Sequence, residues 1–363
     1  MFRRVTSPAL AALLVACASG PPPDFAPDPG LVARIREIRI TTTAGAVCPG
    51  RSFPASYDAL LDDGSIVPFA SSYDADRPPP LHVVFLERSS NAATPLQSGG
   101  WSADGDPLRS VRQGVRLHAT MKARPELRAE AVIAPEYSCL PHVYTFEGAP
   151  GERGRTGDDG PDVTVRLGVV RSPYYPRLLV AQVEVADAPP LWMLADAQTI
   201  PPADWLRIES RGGVGGRGLD GTAGTAGAAG NPGCPGSPGG AGGAGGAGGR
   251  GSAGGRGGRI TIVAPQEEPF LAGLIEARTP GGEAGEGGRG GAGGAGGKGG
   301  AASPADDRRC QPGADGTAGQ PGRAGAAGSE GEPGLRPRVI TVPLRDVFGA
   351  RAHPEIVELM RQQ

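Results

Sequence analysis

The groups in this sequence that could do chemistry are four histidines, five cysteines and scattered carboxylates, and their spacing speaks against most catalysis. His82, His118, His142 and His353 stand alone, without the His-x-x-His or His-Glu-x-x-His spacing that would put two imidazoles on one metal. Gly100-Trp101-Ser102-Ala103-Asp104-Gly105 misses the nucleophile elbow, because Asp104 stands where a glycine must turn the chain. Around Gly297-Lys298-Gly299 the first glycine of a phosphate loop is replaced by Ala292, and its Ser or Thr by Gly299. Asp158-Asp159 and Asp104-x-Asp106 lack the ligand series of a calcium loop. No catalytic residue, metal ligand or cofactor site is expected, and the chain reads as a non-enzyme. Pro173-Tyr174-Tyr175-Pro176 places two aromatics on a hairpin tip, where Tyr174 and Tyr175 could stack on a glycan or a partner, or pack on the sheet below.

Cysteine carries the remaining chemistry. Cys17 follows Arg3-Arg4 and the apolar run Val5 to Ala16, which is the charge and hydropathy pattern of a secretory leader and is too short for a permanent membrane span. Leu14-Val15-Ala16-Cys17 resembles the lipobox of bacterial lipoproteins. The resemblance implies loss of residues 1–16, acylation of Cys17 as the new N-terminus, and, with Ala18 rather than Asp next to it, delivery to an outer membrane. Several acyl chains anchor stably where one is marginal. Residues 17–30, rich in Pro, read as an extended tether. Lipidation of Cys17 also accounts for the odd cysteine count. The other four, Cys48, Cys139, Cys234 and Cys310, lie far apart, never as Cys-x2-Cys, so an oxidising compartment and two disulfides are expected rather than zinc.

Of 363 residues 62 are Gly and 38 are Pro, far above ordinary usage, and the glycine is concentrated in blocks with a strict period of three. The blocks are Gly148 to Asp162, Gly212 to Arg259, Gly282 to Ala302 and Gly313 to Arg336. They resemble bacterial collagen-like proteins, in which glycine recurs because only hydrogen fits at the axis of three polyproline II chains. Two features depart from collagen: Pro is scarce in the second block, and many X positions are themselves Gly, as in Gly239-Gly240-Ala241. A second packing, seen in the snow flea antifreeze protein and some phage tail-fibre adhesins, runs segments of one chain back and forth as polyglycine II helices. There extra glycine helps, because an inner helix has neighbours on several sides. Cys234 has seven triplets before it and eight after, and the break Ser303 to Pro312 around Cys310 is flanked the same way. Two hairpins with matched arms roughly 65–75 Å long follow, each with a cysteine at its turn and strand-like runs at both ends: Trp205 to Ile208, Ile260 to Val263, Leu271 to Ala277 and Val339 to Val342. On this layout Cys234 pairs with Cys310 across two adjacent turns, leaving Cys48 for Cys139.

The elements that must support these hairpins read as short strands divided by Pro and Gly. Val163 to Val169 alternates cleanly and pairs with Leu179 to Val185; Arg34 to Thr43, Tyr57 to Leu61, Ser65 to Phe69, Leu81 to Glu87, Val115 to Met121 and Glu126 to Ala134 are further candidates, and Pro354 to Arg361 reads as helix. The expected fold is mainly β: an antiparallel β-sandwich-like domain over 31–210 with a short Gly-X-Y insert at 148–162, a Gly-rich region at 211–343 folded as a polyglycine II or polyproline II bundle, with a collagen triple helix as the alternative, and a C-terminal segment 344–363. A formal net charge of −2 excludes the basic balance of nucleic-acid binding. The function expected is a lipid-anchored envelope protein with a structural or adhesive role toward an unidentified surface protein or glycan, monomeric unless the repeats form a collagen trimer. The alternative is a secreted carbohydrate-active enzyme with a glycine-rich appendage.

Overall fold

The computed structural model describes residues 21–186, 188–199, 205–303 and 309–362, so Cys17 lies outside the described residues. The protein is mainly β, with 31% strand and 10% helix. It divides into two compact units, the first ending at Tyr137 and the second starting at Ser138. That boundary falls inside the stretch 31–210 that reads from sequence as one β domain. The reason is pairing: strands after Ser138 hydrogen-bond to strands that follow the glycine blocks.

Unit 1 carries a short helix, α1 (Pro29–Arg34), across the junction between the expected tether, 17–30, and the expected β domain from 31. The Asp28 carboxylate accepts the N–H groups of Gly30 and Leu31, and Pro29 sits at the first helical position, where its missing N–H loses nothing. Then follow β1 (Ile35–Thr41), β2 (Ala46–Val47), β3 (Ser52–Phe53), β4 (Ser56–Leu61), β5 (Ile66–Pro68), β6 (Leu86–Ser90), β7 (Ala93–Pro95), β8 (Trp101–Ala103), β9 (Val115–Met121) and β10 (Arg124–Pro135). They form sheets ordered β1-β4-β5, β2-β10-β9-β6 and β3-β8-β7. Alternation decides the inward faces: Tyr57, Ala59 and Leu61 on β4, and Val115, Leu117, Ala119 and Met121 on β9, are buried. The run Leu81 to Glu87, expected as strand, starts differently. His82 Nδ1 accepts the N–H of Val84, which winds Val83–Phe85 into a 3-10 turn and delays the strand to Leu86.

The β4–β5 hairpin turns on Gly64, whose φ of +84° is the left-handed conformation glycine tolerates. Beside it Asp63 Oδ1 accepts the Ser65 hydroxyl at 2.5 Å and the Ser65 N–H at 2.9 Å. These bonds first, and the Arg34 guanidinium after them, lower the Asp63 pKa to about 2. A carboxylate with a depressed folded pKa contributes stability above its unfolded pKa, and that contribution disappears as pH falls through the folded value. A carboxyl NMR titration is expected to show Asp63 charged until pH approaches about 2, with the turn's stabilisation fading from about pH 4 downward. A midpoint near 4 would refute the arrangement.

Unit 2 contains β11 (Val143–Glu147), β12 (Val163–Val170), β13 (Leu178–Val185), β14 (Leu191–Asp196), β15 (Leu206–Arg211), β16 (Ile260–Pro265), β17 (Ile275–Arg278), β18 (Arg338–Val342) and α2 (Pro354–Arg361). Three glycine hairpins leave and return to these strands: hairpin 1 (148–162) between β11 and β12, hairpin 2 (212–259) between β15 and β16, and hairpin 3 (279–336) between β17 and β18. Every outgoing strand runs one way, so β11, β15 and β17 pair in parallel as one sheet. Every returning strand runs the other way, so β12, β16 and β18 also pair in parallel. The antiparallel hairpin β12–β13 and its neighbour β14 complete that second sheet, ordered β14-β13-β12-β16-β18. The purely antiparallel arrangement expected from sequence is thus corrected for the strands beside the glycine blocks. A hairpin that goes out and comes back contributes one strand to each of two sheets, and successive hairpins repeat the same direction.

The two sheets share one core. Ile208 of β15, Val165 and Leu167 of β12, Ala181 of β13 and Ile260 of β16 are fully buried in it, with Trp205 at 1% exposure. Helix α2 is capped by His353 Nδ1 accepting the N–H of Glu355 and buries Ile356 and Leu359. Cys48 and Cys139 are joined as a disulfide, as are Cys234 and Cys310, with Cα atoms 4.6 Å apart in the second pair.

Candidate functional site

The feature that dominates unit 2 is the set of extended glycine arms, which are neither α-helix nor β-strand. Their backbone groups are satisfied by one another. From Gly212 to Gly233, every third N–H of the outgoing arm of hairpin 2 donates to the outgoing arm of hairpin 3, from Pro280 O to Ala301 O, at 2.8–3.1 Å. The returning arm of hairpin 2 donates in the same way from Gly236 to Gly257 toward the returning arm of hairpin 3, from Gln311 O to Glu332 O, at 2.9–3.0 Å. These pairings are parallel. Antiparallel bonds cross between them: Gly240 N to Ala228 O, Gly291 N to Gly246 O and Gly316 N to Gly297 O begin or continue ladders that run the length of the arms.

Each triplet's glycine content follows its number of neighbours. The returning arm of hairpin 2 and the outgoing arm of hairpin 3 each bond to the other three long arms, and both carry two glycines in most triplets. A Cβ at Gly245 would stand 2.1 Å from Gly291 O, and one at Gly290 would stand 1.9 Å from Gly322 O, so neither face admits a side chain. The returning arm of hairpin 3 bonds to two arms and keeps one glycine per triplet. The outgoing arm of hairpin 2 changes along its length. Gly213 and Gly216 donate to Asp158 O and Arg155 O of hairpin 1, and where hairpin 1 ends the corresponding positions become Leu219, Thr222, Thr225 and Ala228. The block at 148–162, expected only as an insert, is therefore a third hairpin. It turns at Gly154, φ +75°, with Arg155 N donating to Glu152 O.

Side chains stand in exposed rows between these contacts: Leu219, Thr222, Thr225 and Ala228 on one arm, and Ala241, Ala244 and Ala247 on another. Carboxylates take some of the amides that lie outside the ladders. Asp315 accepts the Gly299 N–H at 2.8 Å and the Lys298 ammonium at 2.9 Å, and both lower its pKa, the amide more. Asp220 accepts the Arg289 N–H at 2.7 Å, which depresses its pKa ahead of the nearby Arg217. These exposed rows are regular, finely spaced and built mostly from small side chains.

Of the residues singled out from sequence, Cys234 and Cys310 meet at the bundle's turn end, where Ser303 N donates to Gly233 O. Tyr174 and Tyr175 are half-buried in the β12–β13 turn, and both their N–H groups donate to Ser172 Oγ. They lie apart from the arms in sequence. Among the described residues no group of three potential metal ligands occurs, and no helix is long and apolar enough to cross a membrane. No protein-family model and no curated protein matches this chain. Sequence reasoning missed a cavity in unit 1 around His82 and Arg88, because its lining is drawn from Pro21 and from residues scattered between positions 71 and 98, which come together only in the folded unit.

Proposed function

We propose that this chain is a non-enzymatic, lipid-anchored protein of the bacterial cell envelope, tethered at an outer membrane through Cys17, whose three hairpins form a polyglycine II bundle acting as a structural or adhesive module toward a surface protein or glycan. One observation carries the reading: in the four long arms every third amide has its acceptor within the same chain. A collagen helix would need two further chains to satisfy those groups. Such a bundle holds its exposed rows rigidly without an apolar core of its own, which suits repeated contact with an extended partner. Two disulfides fit an oxidising compartment, and the lipobox at Leu14 to Cys17 fits the anchor.

The test joins anchor and contact. Mass spectrometry of the native N-terminus is expected to find acylated Cys17, and an unmodified terminus would remove the anchor from the proposal. Cells displaying the full chain should adhere to mucin-coated plates more than cells displaying a variant with Glu at Thr222, Thr225 and Ala244. Equal adhesion by both would remove the arms from the contact.

A further inference from the structure

The cavity in unit 1 has a volume of about 540 Å³, within the range of small-molecule sites. Ser71, Tyr73, His82, Arg88, Gln97 and Ser98 line it. Two features set it apart from an ordinary surface hollow. His82 is 4% exposed, its Nδ1 accepts the N–H of Val84 at 3.1 Å, and its Nε2 is buried with no hydrogen-bond partner. Since Nδ1 is the acceptor, the neutral ring carries its proton on Nε2, which is thus a donor without an acceptor. Burial first, and the charge of Arg88 second, lower the His82 pKa and keep the ring neutral. Buried donors left this way require an explanation, since each forfeits a hydrogen bond it had in water.

The second feature is Arg88. Its guanidinium donates to Gly99 O at 2.9 Å and to Leu96 O at 2.8 Å, and it lies over the rings of Tyr57 and Trp101 at 5.8 and 5.9 Å. Those rings are themselves fixed, because Trp101 Nε1 donates to the Tyr57 hydroxyl, which donates to Gly99 O. Carbonyls and aromatic faces hold the cation, and among the described residues it has no carboxylate in an ion pair. Two of its five donors are used, and the fork keeps hydrogens for a planar anion.

We propose that this cavity binds a small polyhydroxylated carboxylate, of the kind presented by a uronic acid unit, with Arg88 and His82 as donors to the anion. Ser71, Gln97 and Ser98 at the rim supply hydroxyl and amide partners for the ligand's hydroxyl groups, and Tyr73 supplies a ring for its apolar face. A carboxylate satisfies both unusual features at once, since it neutralises Arg88 and can accept from His82. A neutral sugar would leave the cation uncompensated. The site belongs to unit 1 and does not depend on the glycine arms.

Calorimetric titration of the soluble full chain, carrying Cys17→Ser, with glucuronate, glucose and inorganic sulfate at matched ionic strength tests it. The expected result is saturable glucuronate binding with a Kd of about 1 mM or tighter, and glucose binding weaker by roughly tenfold or more. Arg88→Lys keeps the charge but loses the fork, and should weaken glucuronate roughly tenfold. Because Arg88 also holds the loop at Leu96 to Gly99, a second variant, Ser98→Glu, places a like charge at the rim without touching those bonds, and should abolish binding with an unchanged melting temperature. Absence of glucuronate binding, insensitivity to Ser98→Glu, or sulfate binding as tight as glucuronate would overturn the proposal.

Discussion

Gly294→Ala is expected to destabilise the protein by about 3–5 kcal/mol, although adding one methyl group to an extended segment is ordinarily neutral or helpful. The new Cβ would stand 1.9 Å from Thr225 O, so the outgoing arms of hairpins 2 and 3 must separate. Separation strains the bonds from Gly224 N to Ala292 O, Gly227 N to Ala295 O and Gly294 N to Gly243 O, all 2.8–2.9 Å. Each is worth about 1 kcal/mol net, and more if its carbonyl or amide is left buried without a partner. At an exposed position of the same bundle, Ala226→Ser should change stability by less than about 0.5 kcal/mol. Chemical denaturation of the soluble full chain measures both. If Gly294→Ala were as stable as the parent, the arms could not be packed backbone against backbone in solution.

Removing the Cys234–Cys310 bridge is the second large effect. The cysteines are separated by 76 residues, and closing a loop of that length restricts the unfolded chain by about 4–5 kcal/mol in the chain-entropy account. Cys234→Ser with Cys310→Ser should therefore lower the melting temperature by about 2–4 °C for each kcal/mol lost. Reduction should lower the melting temperature of the parent by more than that of the double variant, in which only the Cys48–Cys139 bridge is left to break. A loss below about 1 kcal/mol would mean that the ladders alone hold the two turns in the unfolded ensemble or that the bridge is strained. Non-reducing peptide mapping separates this pairing from a cross-linked alternative with Cys48 or Cys139.

The two effects share an origin. Arms made of glycine lose more conformational entropy on folding than any other sequence, and they bury few apolar side chains to offset it. Stability must come from long uninterrupted ladders and from covalent closure at the far end. One methyl group at a shared face or one missing bridge should thus be felt far more strongly than its size suggests.

Local rules were enough for elements whose pattern is self-contained. The alternation Val163, Val165, Leu167 pairs with Leu179 to Val185, because a hairpin's two strands meet across a short turn. Val115 to Met121 and Pro354 to Arg361 were likewise legible from period and capping residues. The period of three, its interruption around Cys310 and the matched triplets around Cys234 lay out two long hairpins and their bridge. Sequence alone also determined that glycine, not an apolar core, is the material of the arms.

Other features depended on neighbours far away in the chain. Val143 to Glu147 has the β-branched and aromatic composition of a strand, but its parallel pairing with Leu206–Arg211 is decided by the fold. His82 reads as an isolated residue, yet it caps a turn and faces the same cavity as Arg88. Parallel pairing of β12 with β16, and of β16 with β18, could not be read locally, since strands separated by whole hairpins carry no mark of direction. The second glycine in a triplet was visible as a letter, but which arm it faces was not. Gly213 and Gly216 meet hairpin 1 whereas Gly243 and Gly246 meet hairpin 2's own outgoing arm. Sequence determined where the backbone can be approached closely, because the absence of a Cβ is a local property. Only the tertiary structure decided what approaches it, because a backbone N–H can donate to any carbonyl and the choice is made by the topology of three hairpins anchored in two sheets.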